Sequence, residues 1–188
     1  VIVTLGDYID RGPNSKGVID YLIDLKKSHE VITLSGNHEV MMEKARYSEQ
    51  ERYFWLLNGG EATLDSFRAA NLNYIDAQYW GFIASCERYY ETETHILVHA
   101  GLEPETPLDD QTDRFIHWHR ILDTKPHISG KTLVCGHTPQ KLGDPLVLDH
   151  AICIDTFAFG GGWLTCLDLD TDKYWQANQK GKTRKKTL

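Results

Sequence analysis

The chain alternates between short apolar runs, which are typical of strands, and amphipathic segments, which are typical of helices. Val1–Leu5 predicts a strand because every residue in it is β-branched or aliphatic. After Pro13 the apolar positions fall at helical spacing, so we predict a helix over 15–28, and the run at 31–34 predicts a second strand. The short connections of this strand–helix–strand unit favour parallel pairing with a right-handed crossover.

The remainder of the chain has a helix-rich middle and a strand-rich last third. Residues 40–70 are predicted to be mostly helical, with a break at Asn58-Gly59-Gly60. The other predicted elements are a helix over 76–86, a hairpin over 88–101, a helix over 112–121 and strands over 132–135, 146–149, 151–155, 163–169 and 173–176. Together these elements indicate an α/β protein.

Composition narrows the class of protein. The 188 residues are 41% hydrophobic and 25% charged, which is ordinary for a globular domain, and we expect a single domain over 1–178. No apolar run approaches the roughly 20 residues that a membrane-spanning helix requires, so no membrane partner is expected. The four cysteines lack paired spacing and favour reduced thiols in a cytoplasmic protein.

Charge is unevenly distributed along the chain. The formal net charge of −7 disfavours nonspecific binding of nucleic acid, so we expect no nucleic-acid partner. Five cations nevertheless fall within residues 180–186. We expect residues 179–188 to form a basic, disordered tail.

Four predicted strands are each followed by a residue that can bind a metal ion. These residues are Asp7, Asn37, His99 and His137. Binding sites in open α/β sheets form beyond the carboxyl ends of the strands, where loops from several strands converge. A single histidine after a strand is more often a hydrogen-bonded loop residue, but four such strand ends predict a shared divalent ion.

The ligand types limit which ion fits. Mixed carboxylate, amide and imidazole ligands favour Mn²⁺, Fe²⁺ or Zn²⁺ over a thiolate-rich structural zinc site, and Mn²⁺ is our first choice. Two such ions can stabilise the attacking and leaving oxygens of a phosphoryl transfer. Arg11 lies four residues after Asp7, and its planar guanidinium can bind two phosphate oxygens. The alternative for Arg11 is a surface ion pair.

His38 is adjacent to Asn37 and points in a different direction, so it cannot readily bind the same ion. It can instead donate a proton to a leaving alkoxide, provided that a carboxylate orients its ring, and Asp10 is the candidate carboxylate. The alternative is an ordinary hydrogen bond within the loop.

Four motifs resemble those of the phosphoprotein phosphatase family of calcineurin-like metallophosphoesterases, in its bacterial and phage branch. They are GDYIDRG (6–12), GNHE (36–39), HAG (99–101) and GHTP (136–139). The resemblance implies a β-sandwich flanked by helices, a centre of two divalent metal ions and one-step hydrolysis of a phosphomonoester by a metal-bound hydroxide.

The resemblance also assigns roles to individual residues. The family's metal ligands correspond to Asp7, which contacts both ions, and to Asn37, His99 and His137. Its acid pair corresponds to Asp10 and His38, and its phosphate-binding arginines correspond to Arg11 and, within HWHR (117–120), Arg120. The family's Gly-Asp-x-His-Gly motif is not found ahead of Asp7, and we expect an upstream segment, with a first strand, to carry it.

The resemblance leaves three functions open. The first is a phosphatase acting on phosphoserine or phosphothreonine in proteins and on small phosphoesters. The second is a diadenosine tetraphosphatase, since such enzymes share all four motifs. The third is a non-catalytic phosphatase-like binding module that lacks the first metal ion. The sequence indicates neither the oligomeric state nor the substrate in the cell.

Overall fold

The computed structural model describes residues 1–122 and 124–188, and the chain divides into two compact units, Val1–Tyr90 and Glu91–Leu188. The single domain expected over 1–178 stays a prediction. Each unit gathers its own apolar elements: helices dominate the first, and β-sheets dominate the second.

The first unit begins with the predicted strand–helix–strand arrangement. Strand β1 (Ile2–Thr4) pairs in parallel with β2 (Val31–Thr33), and helix α1 (Ser15–Leu25) connects them. Helix α1 begins where predicted because the side chain of Asn14 accepts a hydrogen bond from the backbone N–H of Gly17. It ends three residues earlier than the predicted 28.

Four more helices follow in the first unit. They are α2 (Asn37–Lys44), α3 (Glu49–Trp55), α4 (Glu61–Phe67) and α5 (Ala77–Ala84). The segment Leu56–Gly60 joins α3 to α4, and the chain kinks at Gly59, whose φ of 109° places the break where the sequence predicts it. The core of this unit includes Ile19, Met42 and Trp55, all fully buried.

The second unit contains two sheets. The larger has the order β3-β4-β5-β7-β6, and the smaller has the order β10-β9-β8. Their strands are β3 (Tyr89–Glu91, which begins in the first unit), β4 (His95–Val98), β5 (Thr132–Cys135), β6 (Leu146–Leu148), β7 (Ala151–Cys153), β8 (Leu164–Leu167), β9 (Lys173–Ala177) and β10 (Thr183–Thr187). The pairs β4–β5 and β5–β7 are parallel, so the ends of β4 and β5 lie at the same edge of the sheet.

Two predicted segments of the second unit differ in the structure. The helix predicted over 112–121 is α6 (Asp113–Trp118), which ends where His119 adopts an extended conformation. The segment expected as a disordered tail contains β10, which pairs antiparallel with β9 through five residue pairs. Two ion pairs add to this strand pairing. Arg184 and Lys186 of β10 both bind the carboxylate of Asp144, at 3.0 Å and 2.7 Å.

Among the described residues, we find no helix that combines the length and the apolar character required to cross a membrane.

Candidate active site

The loops that follow β1 and β2 are held together by the carboxylate of Glu39. Its two oxygens accept hydrogen bonds from the backbone N–H groups of Asp7, Tyr8 and Gly36, each at 2.8 Å. The side chain is 1% exposed, and the three amide donors compensate its burial. Glu39 therefore fixes the backbone of Asp7 against the start of α2.

The loop after β2 approaches Asp7 closely because Gly36, the residue directly before Asn37, has no side chain. A Cβ atom at Gly36 would lie 2.5 Å from the backbone nitrogen of Asp7, so only glycine permits this approach. The Asp7 carboxylate also faces the backbone N–H of His38 across 3.4 Å. Asn37 is the first residue of α2 and is buried.

The loop after β1 has strained backbone at three polar residues. Asp7, Asp10 and Arg11 have φ angles of 59°, 70° and 60°, in the left-handed region that non-glycine residues rarely adopt. Such strain costs on the order of 1–3 kcal/mol per residue and is concentrated at functional sites. All three are candidate residues identified from the sequence.

Four buried side chains form what we call the acid cluster: Asp10, His38, Trp55 and Thr63. His38 Nδ1 lies 2.7 Å from Asp10 Oδ2, and this pair was predicted from the sequence. The indole N–H of Trp55 donates to both Asp10 oxygens, at 3.1 Å and 3.0 Å, and the Thr63 hydroxyl lies 2.6 Å from Oδ1.

Two opposing influences set the pKa of His38. Burial of the imidazole alone would lower it, but the hydrogen bond with Asp10 and the negative charges of Asp7 and Asp10 outweigh burial. The net result is a pKa above the ordinary value for histidine. A raised pKa favours the protonated form that a general acid requires.

Arg11 is anchored to the break between α3 and α4. Its backbone N–H donates to the carbonyl of Gly59 at 3.2 Å, and its Nε lies 3.4 Å from the carbonyl of Asn58. A Cβ atom at Gly59 would lie 2.7 Å from Arg11 Cγ, so glycine is required there for steric as well as conformational reasons. The side chain of Arg11 is exposed, as binding of a phosphate requires.

In the second unit, His99 and His137 form what we call the imidazole pair. His99 directly follows β4, and His137 lies two residues beyond β5 with a φ of 59°. Their facing nitrogens, Nε2 of His99 and Nδ1 of His137, are 3.2 Å apart, and the two strand ends are joined by a backbone hydrogen bond from Gly136 to the His99 carbonyl.

The separation of this pair suits a shared ion. Two imidazole nitrogens that each lie about 2.1 Å from one ion are roughly 3.0–3.4 Å apart in octahedral or tetrahedral geometry. The observed 3.2 Å falls in that interval and equally allows one ring to donate a hydrogen bond to the other. The donor set is therefore compatible with a divalent ion.

Arg120 follows α6 in an extended conformation, and its side chain is exposed. The next residue, Ile121, donates its backbone N–H to the Thr138 hydroxyl at 3.2 Å, and Thr138 follows His137 directly. The backbone beside Arg120 is thus fixed to the loop that carries His137. This places a guanidinium on the same loop cluster as the imidazole pair.

Three residues that hold the candidate site together escaped the sequence reasoning. Glu39 carries a recognisable signal, since a glutamate at the third position of a helix commonly binds the backbone N–H of the capping residue. Trp55 and Thr63 carry no such signal, because their contacts to Asp10 span 45 and 53 residues.

Comparison with known proteins identifies the family. Residues 1–160 match the family of calcineurin-like phosphoesterases. The chain is 32% identical over 177 residues to serine/threonine-protein phosphatase 1 of Salmonella typhimurium, covering 88% of this chain and 76% of that protein. It is 26% identical over 183 residues to the asymmetrical bis(5'-nucleosyl)-tetraphosphatase PrpE of Anoxybacillus flavithermus, covering 87% and 73%.

The fold is also found among solved structures. A cold-active protein tyrosine phosphatase superimposes with a TM-score of 0.64 at 17% identity, over 97% of this chain and 67% of that one. The predicted fold class and enzyme class are both confirmed, since the family match extends over most of the sequence. This chain therefore belongs to the calcineurin-like phosphoesterases and is a phosphatase-type hydrolase.

Proposed function

We propose that the protein is a divalent-metal-dependent phosphatase that acts on phosphoserine and phosphothreonine in proteins. The observation that carries this proposal is the Asp10–His38 pair, which is buried and joined at 2.7 Å. A serine or threonine alkoxide is a poor leaving group and requires a proton as the P–O bond breaks. His38 can donate that proton from Nε2 while Asp10 holds Nδ1.

In this proposal Asp7, Asn37, His99 and His137 bind divalent metal. A pair of ions, with Mn²⁺ our first choice and Fe²⁺ or Zn²⁺ the alternatives, would supply Lewis acidity and an activated water. Arg11 and Arg120 hold the phosphate oxygens, which orients the phosphorus toward the attacking oxygen. The carboxylate, amide and imidazole donors, with no thiolate among them, support this assignment.

We also propose that the protein is located in the cytoplasm. Cys135 and Cys153 are register partners in the neighbouring strands β5 and β7, and both are free, buried thiols. A reducing compartment keeps such neighbouring thiols unlinked.

A second candidate is a diadenosine tetraphosphatase, supported by the 26% identity to the enzyme of Anoxybacillus flavithermus. Its leaving group is a nucleotide phosphate, which departs without protonation more readily than an alkoxide does. Because Asp10 and His38 lie within motifs that both classes of enzyme share, the acid pair does not separate the two substrates, and a comparison of turnover is required.

Turnover of a phosphoserine peptide and of diadenosine tetraphosphate distinguishes these functions. We expect Mn²⁺-loaded protein to have the higher kcat/KM on the peptide and to lose activity with a chelator. Preference for the dinucleotide would establish the second candidate. Metal-loaded protein that binds phosphopeptide but turns over neither substrate would indicate the non-catalytic binding module.

A further inference from the structure

Two side chains outside the four motifs hold the Asp10 carboxylate. Trp55 and Thr63 are both fully buried, and together they contact both oxygens of Asp10. They flank the kinked segment Leu56–Gly60, one at the end of α3 and the other within α4.

The directions of the two hydrogen bonds between Thr63 and Asp10 follow from the groups that they join. The backbone N–H of Asp10 donates to Thr63 Oγ1 at 2.8 Å. A hydroxyl has one proton, and a carboxylate oxygen accepts, so the Thr63 proton is directed to Asp10 Oδ1 at 2.6 Å. Thr63 therefore forms two hydrogen bonds with Asp10, one with its backbone N–H and one with its side-chain carboxylate.

The remaining oxygen of Asp10 is directed toward His38. Because Thr63 occupies Oδ1 and the Trp55 N–H spans both oxygens, Oδ2 is held 2.7 Å from His38 Nδ1. An acceptor at this position fixes the proton on Nδ1 and the plane of the ring. The orientation of Nε2, which faces away from Asp10, is then determined by Trp55 and Thr63.

We propose that Trp55 and Thr63 are positioning residues for proton donation by His38, acting through Asp10. The inference rests on the proposed function and adds to it. Small displacements of a reacting group reduce rates strongly, by about 10²-fold for 1 Å. Loss of either residue should therefore slow cleavage of esters with poor leaving groups and spare esters that need no proton.

The test compares two substrates in three variants. Thr63→Val keeps the shape but removes the hydroxyl, Thr63→Ser restores it, and Ser66→Ala is the control. Ser66 lies on the same helix, where its hydroxyl binds the backbone N–H of Lys16 and does not contact Asp10. The substrates are a phosphoserine peptide, with an alkoxide leaving group, and p-nitrophenyl phosphate, with a good one.

We expect Thr63→Val to lower kcat on the phosphoserine peptide by about tenfold or more, a fraction of the 10²–10⁴-fold contribution of a general acid. Its kcat on p-nitrophenyl phosphate, and both rates of Thr63→Ser and Ser66→Ala, should stay close to those of the unmodified protein. Equal losses on both substrates, no loss on the peptide, or failure of Thr63→Ser to restore the rate would overturn the inference.

Proton NMR gives a readout that does not depend on turnover. In protein loaded with diamagnetic Zn²⁺, the His38 Nδ1–H should give a downfield signal, assigned by its absence from His38→Ala. Thr63→Val should weaken or shift this signal, and Thr63→Ser should restore it. An unchanged signal in Thr63→Val contradicts the inference. If Thr63→Val does not fold, Trp55→Phe, which removes the indole N–H, is judged by the same rates and the same signal.

The His38→Ala variant separates this inference from the proposed function. If His38→Ala itself spares the phosphoserine peptide, the acid role of His38 fails and the inference fails with it. If His38→Ala selectively loses the peptide while Thr63→Val and Trp55→Phe do not, the proposed function stands and only the positioning role is refuted.

Discussion

The acid cluster of the first unit and the imidazole pair of the second are built in different ways. In the acid cluster, Asp10 accepts hydrogen bonds from Trp55 and Thr63, which lie 45 and 53 residues away along the chain on two helices. In the second, His99 simply continues β4, and one backbone hydrogen bond joins it to the loop after β5. Proton transfer requires a fixed ring orientation, which a network supplies, whereas metal binding requires mainly that two nitrogens approach each other.

Removing a member of the imidazole pair should have the largest effect. We expect His99→Ala or His137→Ala to lower metal affinity by more than about 100-fold, because loss of a direct ligand exceeds the 10–100-fold cost of losing its outer partner. Elemental analysis after dialysis measures this loss. His95→Ala is the matched control, since His95 begins the strand that His99 follows. Full metal content in His137→Ala would remove it from the ligand set.

His38→Ala should separate the acid cluster from the imidazole pair. We expect kcat on a phosphoserine peptide to fall about 10²–10⁴-fold, the usual contribution of a general acid, with metal content unchanged. Steady-state kinetics and elemental analysis of one preparation test both halves of this expectation. A rate close to that of the unmodified protein on the peptide would exclude proton donation by His38.

The sequence predicted the parts whose signal is local. The strands and the break at Gly59 follow from periodicity and from residue chemistry at neighbouring positions, and so does the placement of the candidate ligands after the strands. The hydrogen bonds of Trp55 and Thr63 to Asp10 depend on how α3 and α4 pack against the loop after β1. No local sequence pattern encodes that packing. The sequence predicts a tail in place of β10 because the polar residues of this strand lack alternation and its pairing with β9 leaves no local signal.

Gly59→Ala should have an intermediate effect by displacing Arg11. The new methyl group would meet Arg11 Cγ at 2.7 Å, and the φ of 109° disfavours alanine. We expect kcat/KM on the phosphoserine peptide to fall about tenfold, which corresponds to about 1.4 kcal/mol of transition-state stabilisation, with metal content retained. The free energy of unfolding should fall by more than about 1 kcal/mol.

Gly81→Ala is the matched control for this substitution. Gly81 lies within α5, and a Cβ atom there would meet nothing within 4 Å. We expect it to raise the free energy of unfolding by about 0.5–1 kcal/mol, because alanine favours helix, and to leave kinetics unchanged. Chemical denaturation compares the two variants. Equal stability changes of the same sign would contradict the proposed contact between Gly59 and Arg11.

Asp144→Asn should have the smallest effect, confined to β10. Hydrogen bonding and charge from Lys186, with the charge of Arg184, lower the pKa of Asp144. This stabilisation is therefore present at neutral pH and is lost as the pH falls through that lowered pKa. Because the side chain is 52% exposed, we expect a loss of less than about 1 kcal/mol. Amide hydrogen exchange should become faster across β10 while phosphatase activity is unchanged. Exchange in β10 that is already unprotected in the unmodified protein would instead support a disordered tail.

The proposed metal centre is tested most directly by anomalous diffraction at the manganese edge from crystals grown with Mn²⁺. We predict an anomalous peak about 2.0–2.3 Å from donor atoms of Asp7, Asn37, His99 and His137. A peak that lies away from these atoms would contradict it.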